Sequence, residues 1–115
     1  MTNDDEFKKK AKNFFIIGKI SEEMNMPSEA VSNYFKSLTA VNDFELSKLG
    51  LHTTDHNNRF NLLRYNLPES YETTDKLFSV YRRTYTQELS KEEVNLLREK
   101  IEEVFKNAEI DIPKN

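Results

Sequence analysis

Cysteine is absent from this chain of 115 residues. That excludes disulfides, thiolate nucleophiles and most structural zinc sites. Glycine occurs twice and proline three times, too few for the turns of an all-β protein of this length or for a glycine-rich phosphate loop. Long apolar runs are missing as well. The longest, Phe14 to Ile17, is far short of the roughly 20 residues a membrane helix needs. The stretch Met1 to Lys12 is polar with mixed charge and lacks the basic-then-apolar order of an export signal. The expectation is a soluble cytoplasmic protein that does not enter a membrane. Neither sign of charge dominates: 17 Lys and Arg face 20 Asp and Glu, for a net charge of -3. A dedicated nucleic-acid binder usually carries a clear basic excess, so nucleic acid is a disfavoured partner and only a local cationic patch could attract one.

What the chain does have is helical periodicity. At 37% hydrophobic and 32% charged residues it can bury one modest core, and its length fits one domain over residues 1–115. The first periodic segment runs from about Asp5 to Met24, with Phe7, Ala11, Phe14 or Phe15, and Gly18 three to four apart. Gly18 costs about 1 kcal/mol in a helix interior, which predicts close approach of a neighbouring helix. Asn25-Met26-Pro27 breaks the pattern, and Pro27 with Glu29 suits the first turn of a second helix reaching about Leu49, capped by Gly50. Thr54 or Asp55 can cap a third helix carrying Phe60, Leu62, Leu63 and Leu67, with Pro68 stopping it. Ser70 is the expected cap of a fourth helix bearing Leu77, Phe78, Tyr81 and Tyr85. Ser90 and Glu93 have capping-box spacing and open a fifth, striped with Val94, Leu97, Ile101, Val104 and Phe105. Ile110 and Ile112 are expected to fold back onto the bundle. Short connections imply antiparallel neighbours. The fold predicted is all-α, an antiparallel four-helix bundle with an additional short helix.

Few residues point to chemistry. His52 and His56 are the two histidines; on one helix they would share a face and, with Asp55, could hold a metal, but the glutamate of a hydrolytic H-E-x-x-H motif is missing between them. No metal and no cofactor is expected. No serine or threonine sits in a nucleophile elbow, and the acid pairs Glu22-Glu23, Glu92-Glu93 and Glu102-Glu103 read as solvated faces. More distinctive is Tyr81-Arg82-Arg83-Thr84-Tyr85. Tyr81 and Tyr85 share a face, and the two guanidinium groups can fork onto a carboxylate or phosphate. One reading pairs these arginines with Asp75, Glu88 or a neighbouring helix. The other joins them with His56, Arg59 and Arg64 in an anion-binding edge, so the candidate surface is His56, Arg59, Tyr81, Arg82, Arg83 and Tyr85.

Ala30-Val31-Ser32-Asn33-Tyr34-Phe35-Lys36, then Leu49-Gly50 followed by His56, Arg59 and Phe60, then Leu77, Tyr81, Arg82, Arg83 and Tyr85, form an ordered set. From Ala30 to about Glu93 the chain resembles the HEPN domain family, small helical bundles of bacteria and archaea. The resemblance implies a bundle that dimerises and works beside a small nucleotidyltransferase-like protein. Some members are ribonucleases that place a histidine four to six residues after a catalytic arginine on a late helix. Here Thr84 to Ser90 follow Arg83 with no histidine, and histidine is the residue best suited to proton transfer at neutral pH. The expected function is a non-catalytic interaction or partner-binding domain, with a HEPN-type ribonuclease or toxin component of a toxin–antitoxin-like pair as the alternative. Phe14, Phe15, Ile16 and Ile17 in succession cannot all face one narrow core. Either the first helix is central, or it meets a partner, for which a homodimer through the first two helices is expected.

Overall fold

A computed structural model describes residues 3–114 and, among them, five α-helices and no strand. They are α1 (Asn3–Glu23), α2 (Pro27–Lys48), α3 (His56–Asn66), α4 (Pro68–Arg83) and α5 (Lys91–Asn107). Four are long and α3 is short, as the periodicities and caps predicted.

The central helix is α2. Its paired apolar positions, Ala30-Val31, Tyr34-Phe35, Leu38 and Ala40-Val41, are buried around most of its circumference. A helix apolar on so wide an arc must be covered on several sides, and three neighbours do this. Phe15 of α1 meets both Tyr34 of α2 and Phe105 of α5, with ring centroids 5.5 and 5.4 Å apart. On the opposite flank Phe35 packs against Phe78 and Tyr81 of α4, at 5.7 and 5.1 Å. Cross-links give the directions. Ser37 Oγ donates to the Ala11 carbonyl and Tyr34 Oη to Glu22, so α1 and α2 run antiparallel. Asn42 donates to Thr74 while Phe35 faces Tyr81, so α4 also runs against α2.

Gly18 is the close approach that its unfavourable propensity implied. A Cβ there would lie 2.7 Å from two carbons of the Tyr34 ring.

Helix ends follow local chemistry. Asp55 caps α3 by accepting from the Asn58 amide at 2.8 Å. Ser70 is not the cap of α4. Leu67 takes that position and Pro68 follows it directly, because proline's fixed φ and missing N–H suit the first helical position. Ser70 lies inside the first turn, its carbonyl accepting from Thr74 Oγ1. Three C-termini share one geometry. Asn25, Gly50 and Glu109 have φ of 57°, 78° and 59°, and the amides of Met26, Leu51 and Ile110 reach back to the carbonyls of Ser21, Leu46 and Phe105. These are Schellman closures, and the left-handed residue in them favours glycine. Glu109 is the costly choice. Glu109→Gly is therefore expected to raise stability by about 0.5–1 kcal/mol in a urea titration.

Ser90 and Glu93 form the reciprocal capping box. The Glu93 amide donates to Ser90 Oγ at 3.1 Å, and the Ser90 amide to Glu93 Oε1 at 3.3 Å. Ser90→Ala is expected to cost about 1 kcal/mol, read from the same titration. The amide of Ser90, and after it the Arg83 guanidinium, hold the Glu93 carboxyl below its usual range. Its contribution is present above the unfolded carboxyl pKa and is lost as pH falls through the lowered folded value. Thermal melts of Glu93→Gln should show a shallower acid limb than the native chain.

Candidate functional site

The six residues singled out by sequence fall into two groups. His56 and Arg59 lie on the first turn of α3, where the i,i+3 spacing brings Arg59 Nη1 to 2.9 Å from His56 Nδ1. Arg59 then reaches across to α2. Its Nε and Nη2 fork onto Asp43 at 2.7 and 3.0 Å, and Thr53 Oγ1 donates to the same carboxylate at 3.1 Å. This is a closed clasp between α3, the connection before it and α2. His52 lies in that connection and His56 begins the helix, so the two imidazoles do not share a helical face. Among the described residues no three His, Cys, Asp or Glu side chains are placed to hold one metal ion.

Tyr81, Arg82 and Arg83 form the C-terminal end of α4, and Tyr85 lies just past it. Tyr81 stacks on Phe35 with the ring planes 3° apart, and its hydroxyl meets that of Tyr85 at 3.0 Å. That hydrogen bond pushes the Tyr85 phenol above its ordinary range, while Lys36 on α2 pulls the other way. Arg83 reaches Glu93 of α5 at 2.7 Å and Gln87 at 3.3 Å. The neighbouring-helix pairing is the one realised, with Glu93 as partner in place of Asp75 or Glu88. Arg82 lies over the Phe78 ring, 5.1 Å from its centroid, a cation–π contact. No hydrogen bond or ion pair among the described residues joins His56 or Arg59 to Arg82 or Arg83. What links the groups is apolar: Phe60 packs on Phe78, and Phe78 on Tyr81.

No family model, curated protein or solved structure matches the chain. Chemistry must therefore be read from the side chains. Two of the three arginines on this surface are neutralised, Arg59 by Asp43 and Arg83 by Glu93. The cations here without an ion pair among the described residues are Arg82 and Lys36, each lying over a phenylalanine ring. Such an edge offers an anion one guanidinium and one ammonium without an ion pair, in place of a cluster of arginines.

A second surface stands out on α1. Ala11, Phe15, Gly18 and Ser21 face inward. Ile17, Ile20 and Met24, at i, i+3 and i+7, share the outward side and are 47%, 46% and 65% exposed. The surplus of apolar residues in Phe14 to Ile17 is thus not absorbed by a central position, because α2 holds that position. The apolar residues of α2 are used internally and leave Lys36 as its exposed midpoint.

Several polar groups escaped the sequence reading. Glu22 is not a solvated face: it accepts from Tyr34 Oη at 2.7 Å and from Arg98 Nη1 at 2.6 Å. Burial, and then this bond to Glu22, push the Tyr34 phenol far above its normal range. Glu93 is likewise committed. Beside them, a hollow of about 670 Å³ separates the α1–α2 turn from the α4–α5 connection, floored by Pro27, Leu89 and Val94.

Proposed function

We propose that this chain is a non-catalytic, HEPN-like interaction domain that pairs with a second copy of itself through the outward face of α1. The observation that carries the reading is the stripe of Ile17, Ile20 and Met24. Three large apolar side chains in a row on one helix face are what a self-complementary twofold contact uses. The pairing expected is an antiparallel one of the two α1 helices. Asp4, Asp5 and Glu6 open α1, Lys8, Lys9, Lys10 and Lys12 follow, and Glu22 and Glu23 close it with no basic residue in the last turn. An antiparallel pairing opposes the two helix dipoles, which favours it over a parallel one.

The Tyr81–Tyr85 pair with Arg82 and Lys36 is the second feature of this module. It is an exposed aromatic and cationic edge suited to a partner protein, such as a nucleotidyltransferase-like one, more than to a phosphate backbone. The ribonuclease alternative requires Arg83 and His56 at one scissile phosphate. Both are engaged elsewhere, with Glu93 and Arg59.

Sedimentation equilibrium tests the proposal. The native chain is expected at twice its 13.6 kDa mass, and the double variant Ile17→Glu, Ile20→Glu at the monomer mass with unchanged helicity. A native chain that stays monomeric at high concentration overturns the homodimer.

A further inference from the structure

The outward face of α2 is covered at one end and open at the other. Lys36, Thr39 and Asp43 follow at i, i+3 and i+7 and so share that face. Arg59 of α3 closes its carboxyl end by holding Asp43. Two turns earlier, Lys36 is exposed. The Lys36 ammonium lies over the Phe14 ring, 5.9 Å from its centroid, so α1 borders the opening on one side. The C-terminal end of α4 borders it on the other. Tyr81 stacks there on Phe35 of α2, and Tyr85, edge-on to Tyr81, is 73% exposed. The Lys36 charge acts on the Tyr85 phenol. Arg82 completes the row, lying over the Phe78 ring on which Tyr81 packs.

The polar groups along this row are donors. Arg59, Arg83 and Arg98 each hold a carboxylate. Arg82 and Lys36 have no ion pair among the described residues, and an aromatic ring positions each of them instead. A cation placed on a ring is fixed in position and keeps its N–H donors free. The phenols add one more donor. Two hydroxyls carry two protons, and the 3.0 Å contact between Tyr81 and Tyr85 uses one. On a chain of net charge -3, two cations and a spare hydroxyl beside an exposed ring complement an acidic occupant with an apolar side chain. The row is also short. Glu29 and Glu88 lie past it, around a hollow shared with Thr84, and repel a polyanion that runs on in that direction. A nucleic-acid backbone draws its affinity from a series of cations, so a stretch of peptide is the better match.

We propose that this opening docks a short acidic segment of a partner protein, with carboxylates at Lys36 and Arg82 and an apolar side chain on the Tyr85 ring. The inference rests on reading the chain as an interaction domain and names the chemistry that its aromatic edge takes. It does not depend on pairing through α1.

Amide NMR of the full chain, titrated with a short synthetic peptide of glutamate and leucine, tests it. A peptide of lysine and leucine is the control. Saturable shifts are expected at Lys36, Arg82 and Tyr85 with the acidic peptide and not with the basic one. Lys36→Gln with Arg82→Gln, both exposed positions, should weaken binding about tenfold at unchanged helicity. The Ile17→Glu, Ile20→Glu chain should bind the peptide as the native chain does, which separates failure of the dimer from failure of this site. Three results overturn the proposal: no saturable shift, equal shifts with the two peptides, or shifts centred on Lys8 to Lys12 that persist in the double glutamine variant. Saturable binding of oligouridylate at this row without binding of the acidic peptide would also overturn it, in favour of nucleic acid.

Discussion

Gly18→Val is expected to lower the unfolding free energy by about 3 kcal/mol, near the upper end of what overpacking a core costs. The reason is the Tyr34 ring. A Cβ at position 18 meets Tyr34 Cδ1 and Cε1 at 2.7 Å and Cγ at 3.2 Å. The ring cannot swing clear, because it is fully buried, packed on Phe15 and held at its hydroxyl by Glu22. Two effects compete in the smaller change Gly18→Ala. Helix propensity alone would stabilise by about 1 kcal/mol, while the clash costs about 1–3 kcal/mol. The geometry makes the clash win, and Gly18→Ala should destabilise by about 1 kcal/mol. Urea unfolding decides: a lower midpoint at unchanged slope is expected for both variants. A stabilised alanine variant would show that α1 and α2 do not meet this closely.

The second large effect lies at the Asp43–Arg59 clasp. Both side chains are mostly buried, at 11% and 14% exposure. Asp43→Ala leaves a guanidinium enclosed without its carboxylate, a change that typically costs about 3–5 kcal/mol. The loss should centre on α3. That helix buries a single side chain completely, Leu63, worth about 2–3 kcal/mol, and beyond it is held by Phe60 against Tyr71 and Phe78 and by the clasp. Hydrogen exchange in the Asp43→Ala protein should therefore rise first across residues 56–66. The double change Asp43→Leu, Arg59→Met should recover most of the stability, since no charge is then left unpaired. A loss no smaller in the double variant than in Asp43→Ala would contradict this account of the clasp.

Much of the architecture was legible along the chain, and the reasons are local. Pro27, Asp55, Gly50 and the Ser90–Glu93 pair act within a few residues of their own positions, so each marked a helix end correctly. Ser70 misled because a serine two residues past a proline looks like a cap, while the proline had already fixed the helix start at Leu67. The surface was legible in part. Tyr81 and Tyr85 share a face by spacing alone and do meet. Which arginine is neutralised was not readable, because Arg59 finds Asp43 across 16 residues and Arg98 finds Glu22 across 76. Asp43 itself is hidden in sequence, flanked by Val41 and Phe44 in a buried stretch. Asn42 shares that concealment. Its partner Thr74 lies 32 residues away on α4.

The central claim, pairing through α1, can be tested by using the absence of cysteine. Ile17→Cys introduces the chain's sole thiol within the proposed contact, and Leu96→Cys places one on α5, at a position 64% exposed. Packed helix axes lie about 8–10 Å apart, which brings facing Cα atoms near the twofold axis within disulfide range. Under mild oxidation at a concentration where the native chain is dimeric, Ile17→Cys is predicted to cross-link to a covalent dimer rapidly and almost completely, with Leu96→Cys remaining largely monomeric. Equal rates for the two variants, or no cross-linking of Ile17→Cys, would contradict the assignment of α1 as the dimer face.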